Sequence, residues 1–109
     1  MDKKLLDPAV LGSYATKPED LKIFATIFIR QTAEDIENLS KAGAQGSADE
    51  WVDICHKIKG AAAMAGATVL QEMIIQAQSM GESHADEKDE ICQNIRRAFA
   101  DICRVIEEL

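Results

Sequence analysis

Residues 47–66 read Ser47-Ala48-Asp49-Glu50-Trp51-Val52-Asp53-Ile54-Cys55-His56-Lys57-Ile58-Lys59-Gly60-Ala61-Ala62-Ala63-Met64-Ala65-Gly66. Both ends carry helix signals. Ser47-x-x-Glu50 is a capping-box pattern, in which the hydroxyl and the carboxylate each satisfy a free backbone N–H at a helix start. Gly66 is the residue type that closes a helix in the left-handed conformation. Between them Trp51, Cys55, Ile58, Ala62 and Ala65 recur at steps of four, three, four and three, which is one face of an α-helix.

The same grammar extends in both directions. Thr16-x-x-Glu19 is a second capping box, and the segment that follows places Leu21, Phe24, Phe28, Ile36 and Leu39 on one stripe. Gly43 and Gly46 are expected to flank the turn before Ser47. Downstream, Leu70, Met73, Ile74, Ala77 and Met80 form a third stripe that Gly81 is expected to stop. Ser83 to Asp86 is a polar connection able to cap a last helix, whose apolar positions are Ile91, Ile95, Ala98, Phe99, Ile102, Ile106 and Leu109. Asp7-Pro8 announces a short additional helix reaching about Leu11 or Tyr14. No segment alternates with period two. Short connections between long amphipathic helices make sequential neighbours antiparallel, so the expected fold is all-α: an up-down-up-down four-helix bundle with a short accessory N-terminal helix across one end. Residues 1–109 read as one domain.

Composition narrows the function. A chain of 109 residues has material for one compact core and little for a deep cavity between domains, which excludes large cofactor-fold enzymes. Twelve basic against 19 acidic residues give a net charge of −7, a field that repels phosphate backbones and anionic headgroups. Neither nucleic acid nor a membrane surface is therefore expected as a partner, and a protein with a basic patch fits better. Cys55, Cys92 and Cys103 are odd in number and contain no Cys-x-x-Cys pair, so neither a disulfide framework nor a zinc site is indicated. Cysteine usage of this kind, no signal-peptide pattern and no apolar run of membrane-spanning length point to a cytoplasmic domain. Met1 followed closely by the helix signal at Asp7 favours a free-standing chain.

Two histidines are present. His84 lies in the polar connection and reads as a solvated residue. His56 falls roughly 140° around its helix from the Trp51/Ile58/Ala62 stripe, on the solvent side. Gly60 follows one turn later and Ala63 beyond it, so the surface beside the imidazole is stripped of side chains. A helix-interior glycine costs about 1 kcal/mol relative to alanine, and no turn or cap calls for one at this point. Close approach of something from outside explains it better than internal packing. Lys59, three residues on, puts an ammonium beside the imidazole. This is what a phosphoryl acceptor needs: a nitrogen nucleophile in its neutral form near pH 7, a cation to compensate the group once attached, and clearance for a partner's active site. No base, metal site or phosphate-cradling loop accompanies them, so the partner must drive the transfer.

His56-Lys57-Ile58-Lys59-Gly60-Ala61-Ala62-Ala63-Met64-Ala65-Gly66 resembles the signature of histidine-containing phosphotransfer (HPt) domains, commonly written His-x-Leu-Lys-Gly-Ser/Ala-Ser/Ala with a later Gly at the helix end. The likeness is to modules that end hybrid sensor kinases. It spans nearly the whole chain and implies a four-helix bundle with an accessory N-terminal helix. It further implies that His56 accepts the phosphoryl group, that Lys59 supports its charge and that Gly60 gives clearance. Gln78 stands at an offset where several members carry a glutamine that hydrogen-bonds the ring or the phosphoryl oxygens. The chain departs from the pattern at Ile58, Met64 and Ala65, none of which removes a reactive group. The resemblance implies response-regulator receiver domains and a hybrid sensor kinase as partners, with a Mg²⁺ held by the receiver and no cofactor on this chain. The expected protein is a monomeric phosphoryl carrier, not an autokinase.

Four further positions call for a reading. Ile23 and Ile27 lie off the main stripe of their helix, which points first to contact with the N-terminal helix through Val10 or Leu11, and second to an exposed docking patch. Asp53, three residues before His56, reads as a solvated carboxylate. Cys55 falls on the core stripe and is expected to be buried and inert. Two other functions suit a small bundle. A helical adaptor that binds a receiver or another protein without phosphoryl transfer would not need His56, Lys59 and Gly60 together. A carboxylate di-metal protein needs Glu-x-x-His on two helices, and only Asp53-x-x-His56 approaches that.

Overall fold

The computed structural model describes residues 5–7, 9, 10 and 17–108. Four helices carry nearly all of them: α1 (Pro18–Gln45), α2 (Ala48–Ala65), α3 (Thr68–Gln78) and α4 (Ala85–Glu107), with no strand among the described residues. α1 packs on α2 and α4, and α3 packs on the same two, so the four form a closed ring of neighbours.

The chain punctuates these helices partly as its sequence predicts. Gly46 (φ 73°) and Gly66 (φ 67°) both stand in the left-handed region and end α1 and α2. Each end closes with paired backbone bonds: Gly46 N–H reaches the Ala42 and Gly43 carbonyls while Ser47 N–H reaches Ala42, and Gly66 with Ala67 repeat the arrangement on Ala62 and Ala63. Ser47 is the N-cap residue of α2, yet its side chain makes no capping bond, so the expected capping box marks the boundary without being formed.

Three expectations are corrected. α1 starts with Lys17 as N-cap and Pro18 in the first helical position, the signal that the Thr16-x-x-Glu19 reading passed over; Thr16 lies outside the described residues. Gly43 is not part of the turn but sits inside α1, where an added Cβ would stand 2.9 Å from Cζ3 of Trp51. α3 ends at Gln78, with Ser79 right-handed, and Gly81 does not have positive φ. Instead an added Cβ on Gly81 would lie 3.1 Å from Cγ2 of Val52, so the connection passes close over α2. Ile23 and Ile27 are both exposed, and Leu11, one of their two expected contacts, lies outside the described residues. Val10, the other, stands against the α2–α3 junction, where a Cβ on Gly66 would come within 3.1 Å of it. Of the expected accessory helix, the Asp7 carboxylate accepts the Ala9 N–H at 3.0 Å, and Leu11 and Tyr14 lie outside the described residues.

The core is the set of predicted stripes brought together. Trp51, Cys55, Ile58, Ala62 and Ala65 of α2 are all buried, as are Phe28, Ile36 and Leu39 of α1, Leu70, Ile74 and Ala77 of α3, and Ile91, Ile95, Ile102 and Ile106 of α4. Each fully buried branched aliphatic contributes about 1.5–3 kcal/mol. No helix among the described residues is long and apolar enough to cross a membrane.

Candidate functional site

The inward stripe of α2 fixes the rotation of that helix and thereby what faces outward. His56 is exposed, and so are Asp53, Gly60 and Ala63. Around Gly60 the space is open: a Cβ built there meets nothing within 4 Å among the described residues. This open stretch of surface lies one helical turn from His56.

The two lysines flanking His56 are tied to different helices. Lys57 pairs with Asp35 of α1 at 3.1 Å, and Asp35, itself only 4% exposed, also accepts the Gln31 amide at 3.2 Å. Lys59 donates to Oε1 of Gln78 on α3 at 3.2 Å. The helix carrying His56 is thereby held from both sides. Lys59 and Gln78, two of the residues singled out in the sequence, are brought together, and Lys59 keeps further donors beyond the one Gln78 accepts.

Among the described residues four large apolar side chains are exposed: Ile23 (59%) and Ile27 (62%) on α1, Met64 (47%) on α2 and Ile75 (51%) on α3. Ile23 and Ile27 line a shallow groove with Glu19, Lys22, Thr26 and Arg30. Met64 stands one turn beyond Gly60, and Ile75 three residues before Gln78. Sequence reading gave neither a role, although each lies off its helix's core stripe.

The other reactive groups are placed elsewhere. Burial pushes the Cys55 thiol up to about 12, helped by Cys92 and opposed by Lys88, so it is no nucleophile at neutral pH. Burial also raises Cys92 and Cys103. His84 is exposed as the N-cap residue of α4, without a side-chain capping bond. Among the described residues no three His, Cys, Asp or Glu side chains gather into a set that could hold a metal ion.

The exposed face of α2 thus brings together His56, the open surface at Gly60 and a lysine bonded to Gln78. The family model for the Hpt domain matches residues 24–109, and the chain belongs to that family. Its fold is similar to the crystal structure of histidine-containing phosphotransfer protein B from Pseudomonas aeruginosa PAO1, with a TM-score of 0.83 at 20% identity over 95% of this chain and 92% of that one. No curated protein matches the sequence.

Proposed function

We propose that this chain is a phosphorelay carrier in which His56 takes a phosphoryl group from the phospho-aspartate of one receiver domain and passes it to the aspartate of another. The observation that carries this reading is the exposed imidazole beside the open space at Gly60, on an Hpt-family chain. The lone pair of the unprotonated ring nitrogen attacks phosphorus. The P–O bond to the receiver's aspartate breaks and its carboxylate leaves with the electron pair, while the other ring nitrogen keeps its proton. The reverse sequence unloads the group onto the next receiver. Lys59, steadied by Gln78, faces the phosphoryl oxygens and compensates their charge. Gly60 and Ala63 let the receiver approach, and the exposed Ile23 and Ile27 give it an apolar surface to bury.

This chemistry needs no cofactor on the carrier, and the acid pocket and Mg²⁺ belong to the receiver. A hybrid sensor kinase supplies the first phosphoryl group. The carrier works as a cytoplasmic monomer, its helices in up-down-up-down order with the N-terminal helix across one end, and without autokinase activity.

Purified protein mixed with a labelled, phosphorylated receiver should acquire label that is lost in acid and kept in base. His56→Gln should take none while its helical circular dichroism stays intact. Label on the His56→Gln protein, or none on the wild type with several receivers, contradicts the carrier reading; stable binding of receivers without transfer would leave a helical adaptor. Lys59→Ala should slow transfer or shorten the phosphohistidine lifetime, and no change in either would remove its assigned role.

A further inference from the structure

α1 and α2 each end on a left-handed glycine, but α3 does not: Ser79 follows Gln78 with φ −73°, in the right-handed region. Its last turn closes with local bonds, Ser79 N–H and hydroxyl to the Gln76 carbonyl and Met80 N–H to the Ala77 carbonyl, and side chains from other helices hold it and the turn that follows. The indole N–H of Trp51, on α2, donates to the Ala77 carbonyl at 2.7 Å, and the ammonium of Lys88, on α4, donates to the Gly81 carbonyl at 2.7 Å. These two carbonyls bracket Gln78, one residue before it and three after. Both donors are buried: Trp51 is fully enclosed and Lys88 is 2% exposed, with its ammonium 5.2 Å from the indole ring centroid. Gly43 of α1 makes room for them, since a Cβ there would stand 2.9 Å from the indole ring and 3.3 Å from Cβ of Lys88. One group from each of the four helices meets in this cluster.

A buried ammonium is costly unless it is bonded, and an apolar side chain of the same length would fill the space. What the pair of donors provides is a fixed position for the last turn of α3. That turn carries Gln78, whose Oε1 holds Lys59 at 3.2 Å, already at the long end of hydrogen-bond range. A drift of the helix end by an ångström would break the contact.

We propose that Trp51 and Lys88 are positioning residues for the phosphoryl-accepting face: by fixing the end of α3 they keep Gln78 on Lys59, and Lys59 in place beside His56. This rests on His56 being the phosphoryl acceptor. Trp51→Phe removes the indole N–H and keeps a ring, while Lys88→Met removes the ammonium and keeps the stem. Each should slow transfer through His56 by about three- to tenfold, the weight of one hydrogen bond. In a Gln78→Ala background the same substitutions should cause no further slowing, because the residue they act through is gone. The side-chain amide resonance of Gln78 should move in both variants toward its position in Lys59→Ala.

Equal slowing in the presence and absence of Gln78 overturns the proposal, as does an unmoved amide resonance. A Gln78→Ala protein that transfers at the wild-type rate overturns it too, while leaving His56 as the acceptor. If the wild type accepts no phosphoryl group, the acceptor reading falls, and the amide resonance still decides whether Trp51 and Lys88 hold Gln78 on Lys59. Should Trp51→Phe fail to fold, Lys88→Met carries the same comparison.

Discussion

Gly43 and Gly60 are both glycines in the interior of a helix, and they are there for opposite reasons. At Gly43 an added Cβ would press on Trp51 and Lys88, so the missing side chain is required by the molecule's own packing. At Gly60 an added Cβ would meet nothing within 4 Å. There the helix accepts the weaker propensity of glycine with no internal return; under the proposed carrier function, the open space is what lets a receiver come close to His56. Packing requires one glycine and not the other, and only the three-dimensional surroundings tell them apart.

Trp51→Ala should destabilise by about 3–5 kcal/mol, since it empties a fully buried ring and releases the end of α3. It should also abolish the reason for Gly43. Gly43→Ala should cost about 1–3 kcal/mol in the wild type through overpacking, and markedly less when Trp51 is already alanine, as measured by denaturant unfolding of the four proteins in the cycle. A full cost in both backgrounds would mean that Trp51 is not what excludes a side chain at position 43.

Gly60 should behave in reverse. Gly60→Gln should slow transfer from a receiver by about tenfold or more by obstructing close approach, without loss of fold. Gly60→Ala should raise stability by up to about 1 kcal/mol, because the helix gains propensity and meets no neighbour. A destabilised Gly60→Ala would reveal an internal contact and erase the contrast with Gly43. The smallest effect concerns the thiols, all of which burial disfavours as thiolates. In the native protein at pH 8, half-buried Cys103 should be alkylated before Cys92 and Cys55, and all three should react together once the chain is unfolded. The raised Cys55 thiol carries a sign as well. Between pH 9 and about 12 the unfolded chain has lost that proton and the native one retains it, so Cys55 lowers stability as pH rises through this window.

Much of this was legible in the sequence because it is periodic. The α2 stripe from Trp51 to Ala65 is buried residue for residue, and the angle that separates His56 from that stripe correctly predicts its exposure. What was not legible depends on contacts distant in sequence. Gly43 looks like a turn residue until Trp51 is seen against it. Gly81 looks like a helix stop, but α3 closes earlier, at Ser79, and side chains from α2 and α4 hold that end and the turn after it, contacts with no local signature. Lys88 lies on the stripe of Ile91 and Ile95, so its burial had a periodic signal that its charge concealed.

In a phosphorelay carrier of this design the phosphoryl group resides on His56. Tandem mass spectrometry under non-acidic conditions, after incubation with a phosphorylated receiver, locates the group directly. A single modified residue, His56, is expected in the wild type and none in His56→Gln. A phosphoryl group on His84 or on a carboxylate, or its presence in the His56→Gln protein, would contradict it.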